Sequence, residues 1–157
     1  MRNKIYLETT VISYLTSRPS RDLIVAAHQQ ITRDWWEDLS GEFALFASQA
    51  VLREAASGDP QAADRRLAAL DALVILDITK NAEALAGKLL NTGLIPQRAT
   101  EDALHIALAT VHGMDYLLIW NCKHIANARI RDELESLVLA EGYRASVICT
   151  PEELMGG

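Results

Sequence analysis

Apolar stretches of two periods alternate along the chain. Lys4–Leu7, Phe43–Ala47, Val74–Leu76, Asp115–Trp120 and Ser146–Cys149 are short, β-branched or aromatic, and bounded by polar residues or glycine. They are predicted as five strands. Tyr116-Leu117-Leu118-Ile119-Trp120 is continuously apolar, the pattern of a strand buried on both faces of a parallel sheet. Helical periods fill the gaps. Ser20 is a natural N-cap after Pro19, and Ile24, Ala27, Ile31 and Trp35 recur at helical spacing towards a stop near Ser40-Gly41. Ser48 can cap a short helix through Ala56, and Asp59-Pro60 opens one to about Leu73. Thr79 can cap the helix ending near Thr92-Gly93, and Thr100 the one ending at His112-Gly113. A last helix runs from about Ala128 to Glu141 and stops at Gly142. Such alternation predicts a three-layer α/β fold around a central parallel sheet of about five strands, with residues 1–157 as one domain.

Composition narrows the class. The chain has 157 residues, of which 50% are hydrophobic and 23% charged, which excludes a disordered polypeptide. A domain near this length buries roughly 70% of its unfolded surface, so no staple is needed. Two cysteines, Cys122 and Cys149, are too few for a secreted disulfide framework and point to a reducing, cytoplasmic compartment. No apolar run exceeds five residues, far short of the roughly 20 that span a bilayer. The start, Met1-Arg2-Asn3-Lys4, is basic, but Glu8 follows too soon for a signal peptide to be expected. Fifteen Lys and Arg against twenty-one Asp and Glu leave a net charge of −6, which speaks against a simple nucleic-acid binder.

Ligands in open α/β sheets sit outside the carboxyl ends of the strands. Glu8 follows the first predicted strand, where the chain hands over to a helix. Glu54 lies six residues past Ser48 on the helix after the second. Glu101 and Asp102 open a late helix, where the helix dipole alone favours acids. Asp102 shares a face with Ile106 and Ala109 and is expected to point to the sheet, whereas Glu101 is rotated about 100° towards solvent. Asn121 follows the fourth strand by one residue. Cys122 and His124 fall short of a zinc site, which normally takes four ligands at recognisable spacing. His105, within an apolar helix, reads as a satisfied core histidine. Three carboxylates converging at one sheet end repel one another unless a cation joins them. Hard oxygen donors in small number suit Mg2+ or Mn2+, and such a site suits phosphodiester hydrolysis.

Taken in order, four stretches resemble PIN-domain proteins, specifically the VapC-like toxin ribonucleases of type II toxin–antitoxin systems. They are Tyr6-Leu7-Glu8-Thr9-Thr10-Val11-Ile12-Ser13-Tyr14-Leu15, Glu54 on its short helix, Asp102-Ala103-Leu104-His105-Ile106-Ala107-Leu108-Ala109, and Asp115-Tyr116-Leu117-Leu118-Ile119-Trp120-Asn121. The resemblance covers nearly the whole chain. It implies a PIN-like fold and a Mg2+- or Mn2+-dependent endoribonuclease whose catalytic positions are Glu8, Glu54, Asp102 and Asn121. Glu8, Glu54 and Asp102 would hold the metal. It further implies a homodimer and a small antitoxin that blocks the cleft. Two positions depart from the family's pattern: Glu8 stands for the usual aspartate, and Asn121 for a frequent fourth acid. The extra methylene of Glu8 displaces its carboxylate by more than an ångström unless the backbone compensates. Three charges favour a one-metal site. Thr9, Thr10, Arg98, Lys123 and His124 are candidate substrate contacts, with Arg18 and Arg21 as further phosphate neighbours. The alternative is a PIN-like protein that binds RNA or a partner without catalysis. An aspartyl phosphatase would need an aspartate where Glu8 stands.

Trp35 and Trp36 lie about 100° apart on their helix. Either one packs in the core and the other at an interface, or a larger core takes both.

Overall fold

The computed structural model describes residues 2–120 and 128–155. Five strands form one sheet: β1 (Asn3–Leu7), β2 (Phe43–Ser48), β3 (Val74–Leu76), β4 (Tyr116–Leu118) and β5 (Val147–Cys149). Their order across the sheet is β3-β2-β1-β4-β5, and every pairing is parallel. The helices are α1 (Thr9–Thr16), α2 (Leu23–Leu39), α3 (Gln49–Ala55), α4 (Pro60–Leu70), α5 (Lys80–Asn91), α6 (Thr100–Val111), α7 (Ala128–Ala140) and a single C-terminal turn, α8 (Pro151–Leu154). The predicted α/β fold with a five-stranded parallel sheet is therefore the observed one. No helix among the described residues is long and apolar enough to cross a membrane.

The order of the strands decides where a site can form. From β1 the chain steps outward to β2 and then β3. It then crosses back over the sheet through α5 and α6 to enter β4 on the other side of β1. A right-handed crossover in each direction puts α1–α4 on one face and α5–α7 on the other. Accordingly α1 packs on α2 and α4, and α5 on α6. The direction of winding switches between β1 and β4, and the carboxyl ends of strands at such a switch point are where open α/β sheets generally bind ligands. Gly113 serves that return. At φ +73° it occupies the left-handed region, and Met114 N–H bonds back to Ala109 C=O at 2.9 Å, turning the end of α6 into β4.

Local sequence set most boundaries. Ser48, Asp59 and Thr79 cap α3, α4 and α5 as expected, each accepting from a backbone N–H of the first turn. Five expectations are corrected. The cap of α2 is Asp22, whose carboxylate accepts from Ile24 and Val25 N–H; Ser20 sits outside and bonds Asp22 and Gln29. Ile24 and Ala27 consequently face solvent, and the buried stripe of α2 runs through Gln29, Thr32 and Trp35. Thr100 is the first residue of α6 rather than its cap, and its hydroxyl donates to Gln97 C=O. Finally, α4 ends at Leu70 and β4 spans only three residues.

The core lies on both faces of β1, whose Ile5, Tyr6 and Leu7 are fully buried, as are Val11, Ile12, Leu108 and Leu118 around them. Trp35 is fully buried and Trp36 half-buried, with ring centroids 6.3 Å apart, so both join one larger core.

Candidate active site

The first turn of α1 is built around a carboxylate. Glu8 leaves β1 in extended conformation, with its N–H bonded to Leu118 C=O at 3.0 Å, so it stands over the β1/β4 junction. Its side chain folds back as the N-cap of α1. There Oε1 accepts from Thr10 N–H at 2.8 Å and from the Thr10 hydroxyl. Thr10 Oγ1 in turn accepts Trp120 N–H at 3.0 Å, tying the exit of β4 to Glu8. Glu8 is only 5% exposed. Burial raises its carboxyl above the usual glutamate range, with His105 and the Thr10 donors pulling the other way.

The second carboxylate comes from α3. Glu54 Oε1 accepts from Thr9 Oγ1 at 2.8 Å and meets His105 Nε2 at 2.5 Å. Thr9 and Thr10, adjacent in sequence, thus each hold one of the two glutamates. His105 is 1% exposed, and its other nitrogen, Nδ1, lies 2.7 Å from Tyr6 Oη. Tyr6 Oη also contacts Ser48 Oγ at 2.7 Å, and Ser48 accepts Val51 N–H at 3.2 Å. With a neutral imidazole the donors run one way: Val51 N–H to Ser48, Ser48 to Tyr6, Tyr6 to Nδ1, and Nε2–H to Glu54. Protonated, the ring donates at both ends and the Tyr6 hydroxyl turns round. Burial pushes the Tyr6 phenol up and keeps it neutral. Burial opposes charge on both His105 and Glu54. Their mutual hydrogen bond and attraction outweigh it, so the histidine is raised and the glutamate lowered.

α6 brings the remaining acids. Its angle on the helix turns Glu101 to solvent, yet its carboxylate lies within 4.8 Å of ligand atoms of both Glu54 and His105. Position i to i+4 on α6 places it above His105, and Arg53 Nη2 holds it at 3.2 Å. Asp102 is on the same first turn, three residues before His105, and is partly exposed. Arg98 is exposed in the loop before α6, and Arg18 and Arg21 are exposed before α2. Asn121, Cys122, Lys123 and His124 lie outside the described residues. Of the scattered histidines weighed for zinc, His105 has both nitrogens engaged, His28 stacks on Trp120 at 4.1 Å, and His112 meets Asp77 C=O.

The donor set fits a hard divalent cation. Among the described residues, every hydrogen bond to the carboxylates of Glu8 and Glu54 falls on Oε1, leaving both Oε2 atoms without one. Two half-satisfied carboxylates, with that of Glu101 close to Glu54, are oxygen donors of the kind Mg2+ and Mn2+ take.

The metal-free protein should also show these charges in its stability. His105 is raised above 6.5 on folding, so its contribution is complete below that pH and fades as pH rises through the folded value. Glu8, raised above 4.5, adds a loss of the same sign. Glu54, lowered below 4.5, contributes above that value and loses its share as acid protonates it. Urea unfolding in EDTA should therefore give a stability maximum between about pH 4.5 and 6.5. The alkaline decline above pH 6.5 should be reduced in His105→Gln. A flat profile from pH 5 to 9 would contradict the assigned pair.

No protein-family model and no curated protein matches the sequence. Among solved structures, a chain of VapBC2 from Rickettsia felis, crystallised bound to a DNA fragment from the promoter, matches with a TM-score of 0.56. Identity is 20%, over 78% of this chain and 90% of that one. At such identity the likeness carries the fold. The strand order, the all-parallel sheet and this match together give the chain the PIN-like α/β fold.

Proposed function

We propose that the protein is a divalent-metal-dependent endoribonuclease, the toxin of a toxin–antitoxin pair. The observation that carries this reading is the pairing of Glu8 and Glu54 beyond the carboxyl end of β1, each with one carboxylate oxygen that accepts no hydrogen bond among the described residues. Glu8, Glu54 and Asp102 would hold Mg2+ or Mn2+, with Asn121 as an uncharged fourth member. When bound, such a cation would supply Lewis acidity to a phosphoryl oxygen and counter-charge for a leaving group. The chain's own residues do the rest. Thr9, Thr10 and His105 orient the carboxylates, and burial of Glu8 keeps bulk water from its inner side. The net charge of −6 leaves few cations to grip RNA, so Arg98, Lys123 and His124 are the proposed phosphate contacts near the site. A small basic antitoxin segment would compete for the same acidic cleft, and a homodimer in the cytoplasm is the proposed working form.

The test is cleavage of several RNAs by pure protein in Mn2+, wild type against Asp102→Asn. Loss of about a hundredfold or more in the variant is expected from removing one metal-holding charge. Equal rates would sink the assignment of Asp102.

A second reading has its own support. Without a cation the cluster already balances much of its charge, His105 against Glu54 and Arg53 against Glu101. A non-catalytic PIN-like module that binds RNA or protein would need nothing more. Mn2+ titrated into the protein separates the two, because heat of binding abolished by Glu54→Ala belongs to the nuclease alone.

A further inference from the structure

Two oxygens of Glu54 have unequal surroundings, and the inequality is constructed. Oε1 receives Thr9 from α1 and His105 from α6, at 2.8 and 2.5 Å. Oε2 accepts nothing among the described residues. A glutamate on a short surface helix has three side-chain torsions and ordinarily samples many rotamers. Here two donors from different elements converge on one oxygen, which fixes the plane of the carboxylate and the heading of the other oxygen.

His105 can do this only because it is itself held. Its ring is buried, and a buried imidazole bonded at Nε2 alone could still turn about its bond to Cβ. Tyr6 Oη at Nδ1 removes that freedom. Tyr6 is in turn set by its place in β1, between Phe46 of β2 and Leu117 of β4, and by Ser48 at the start of α3. Ser48 is the N-cap of the helix that carries Glu54, through its bond from Val51 N–H. The connection therefore closes on itself: α3 positions Glu54, the cap of α3 positions Tyr6, Tyr6 positions His105, and His105 fixes the Glu54 head group. We propose that His105, held by Tyr6, is a positioning residue that aims Glu54 Oε2 into the site and so sets the affinity for its cation. This rests on the metal-site reading given above. Hydrogen-bond partners of metal-holding side chains commonly matter about 10- to 100-fold in metal affinity.

The experiment is calorimetric titration of Mn2+ into the full chain and its variants, with circular dichroism and thermal unfolding run alongside. His105→Leu should weaken Mn2+ about tenfold or more. His105→Gln places an amide N–H close to where Nε2 stood and should recover most of that loss. Tyr6→Phe keeps the buried ring, frees the imidazole and should weaken Mn2+ severalfold. If His105→Leu does not fold, the ordering of the other two decides: His105→Gln should bind Mn2+ more tightly than Tyr6→Phe, and the reverse order would overturn the proposal. Wild-type affinity in both His105→Leu and Tyr6→Phe, with Glu54→Gln impaired, would overturn the positioning role and leave the metal site standing. Wild type that takes up no Mn2+ would remove the metal site and this inference with it.

Discussion

Glu54→Gln should abolish metal-dependent RNA cleavage while leaving the fold nearly untouched. Glutamine has the same shape, and its amide oxygen can accept the bonds that Thr9 and His105 give to Oε1. What disappears is the charge, and with it the anionic oxygen at Oε2. An amide nitrogen there offers hydrogens to a cation instead of lone pairs. A loss of about a hundredfold or more in cleavage is expected, with a matching fall in Mn2+ affinity. Because the side chain is 30% exposed and its bonds persist, the unfolding midpoint should move by only about 3 °C or less. The upward shift of His105 should shrink, since the hydrogen bond to the Glu54 carboxylate and its charge are the main causes that raise it, with Glu8 and Glu101 adding to them. Cleavage of a fluorophore-labelled RNA, with EDTA as the blank, measures the effect. Residual activity equal to wild type in the purified variant would place the chemistry elsewhere.

Trp35→Ala should do the opposite, destabilising the fold without touching the site's own residues. Trp35 is fully buried between α2 and the start of β2, stacked on Phe43 at 6.3 Å and beside Trp36. Phe43 pairs with Asn3 at the amino end of the sheet, the end away from Glu8. Truncation to alanine leaves a large cavity and costs about 3–5 kcal/mol. Against a typical total of about 5–15 kcal/mol, that is roughly a fifth or more of the stability. For a chain of this size it corresponds to roughly 10 °C in the unfolding midpoint. One detail tempers the comparison with smaller changes. Trp35 Nε1 is buried without a hydrogen-bond partner among the described residues. Trp35→Phe deletes that unsatisfied donor while keeping an aromatic ring, and its cost should be much smaller, about 1 kcal/mol. Thermal unfolding of the two variants gives the ordering directly. Equal midpoints for Trp35→Ala and wild type would mean the site collapses around the gap.

What can be read from the sequence is local. Strand positions follow from short apolar runs, and caps at Ser48, Asp59 and Thr79 from side chains that bond within three residues. The face of α2 misleads because Ile24 and Ala27 match the helical period as well as the true stripe does. Only the tertiary packing of α2 on α1 selects Gln29, Thr32 and Trp35. Glu8 and Glu54 are legible as acids after strands. Their surroundings are not. Tyr6, Ser48 and His105 meet across separations of 42 and 99 residues, and nothing in a window of sequence links them. The helical angle alone sends Glu101 to solvent, but a long side chain reaching along α6 towards His105 covers that angle. The best available signal is the histidine itself, a titratable group in an otherwise apolar stripe.

The central position of β1 has a consequence for synthesis on the ribosome. β1 is made first, yet one of its edges stays unpaired until β4, more than a hundred residues later, is available to bond it. The junction that supports Glu8, and α6 with His105, are completed only then. Contacts this distant form late in folding, after the loop between them has closed. A nascent or prematurely terminated chain therefore carries the acids but cannot assemble the site. For a protein that cuts RNA, its own messenger and ribosome are spared until β4 has emerged.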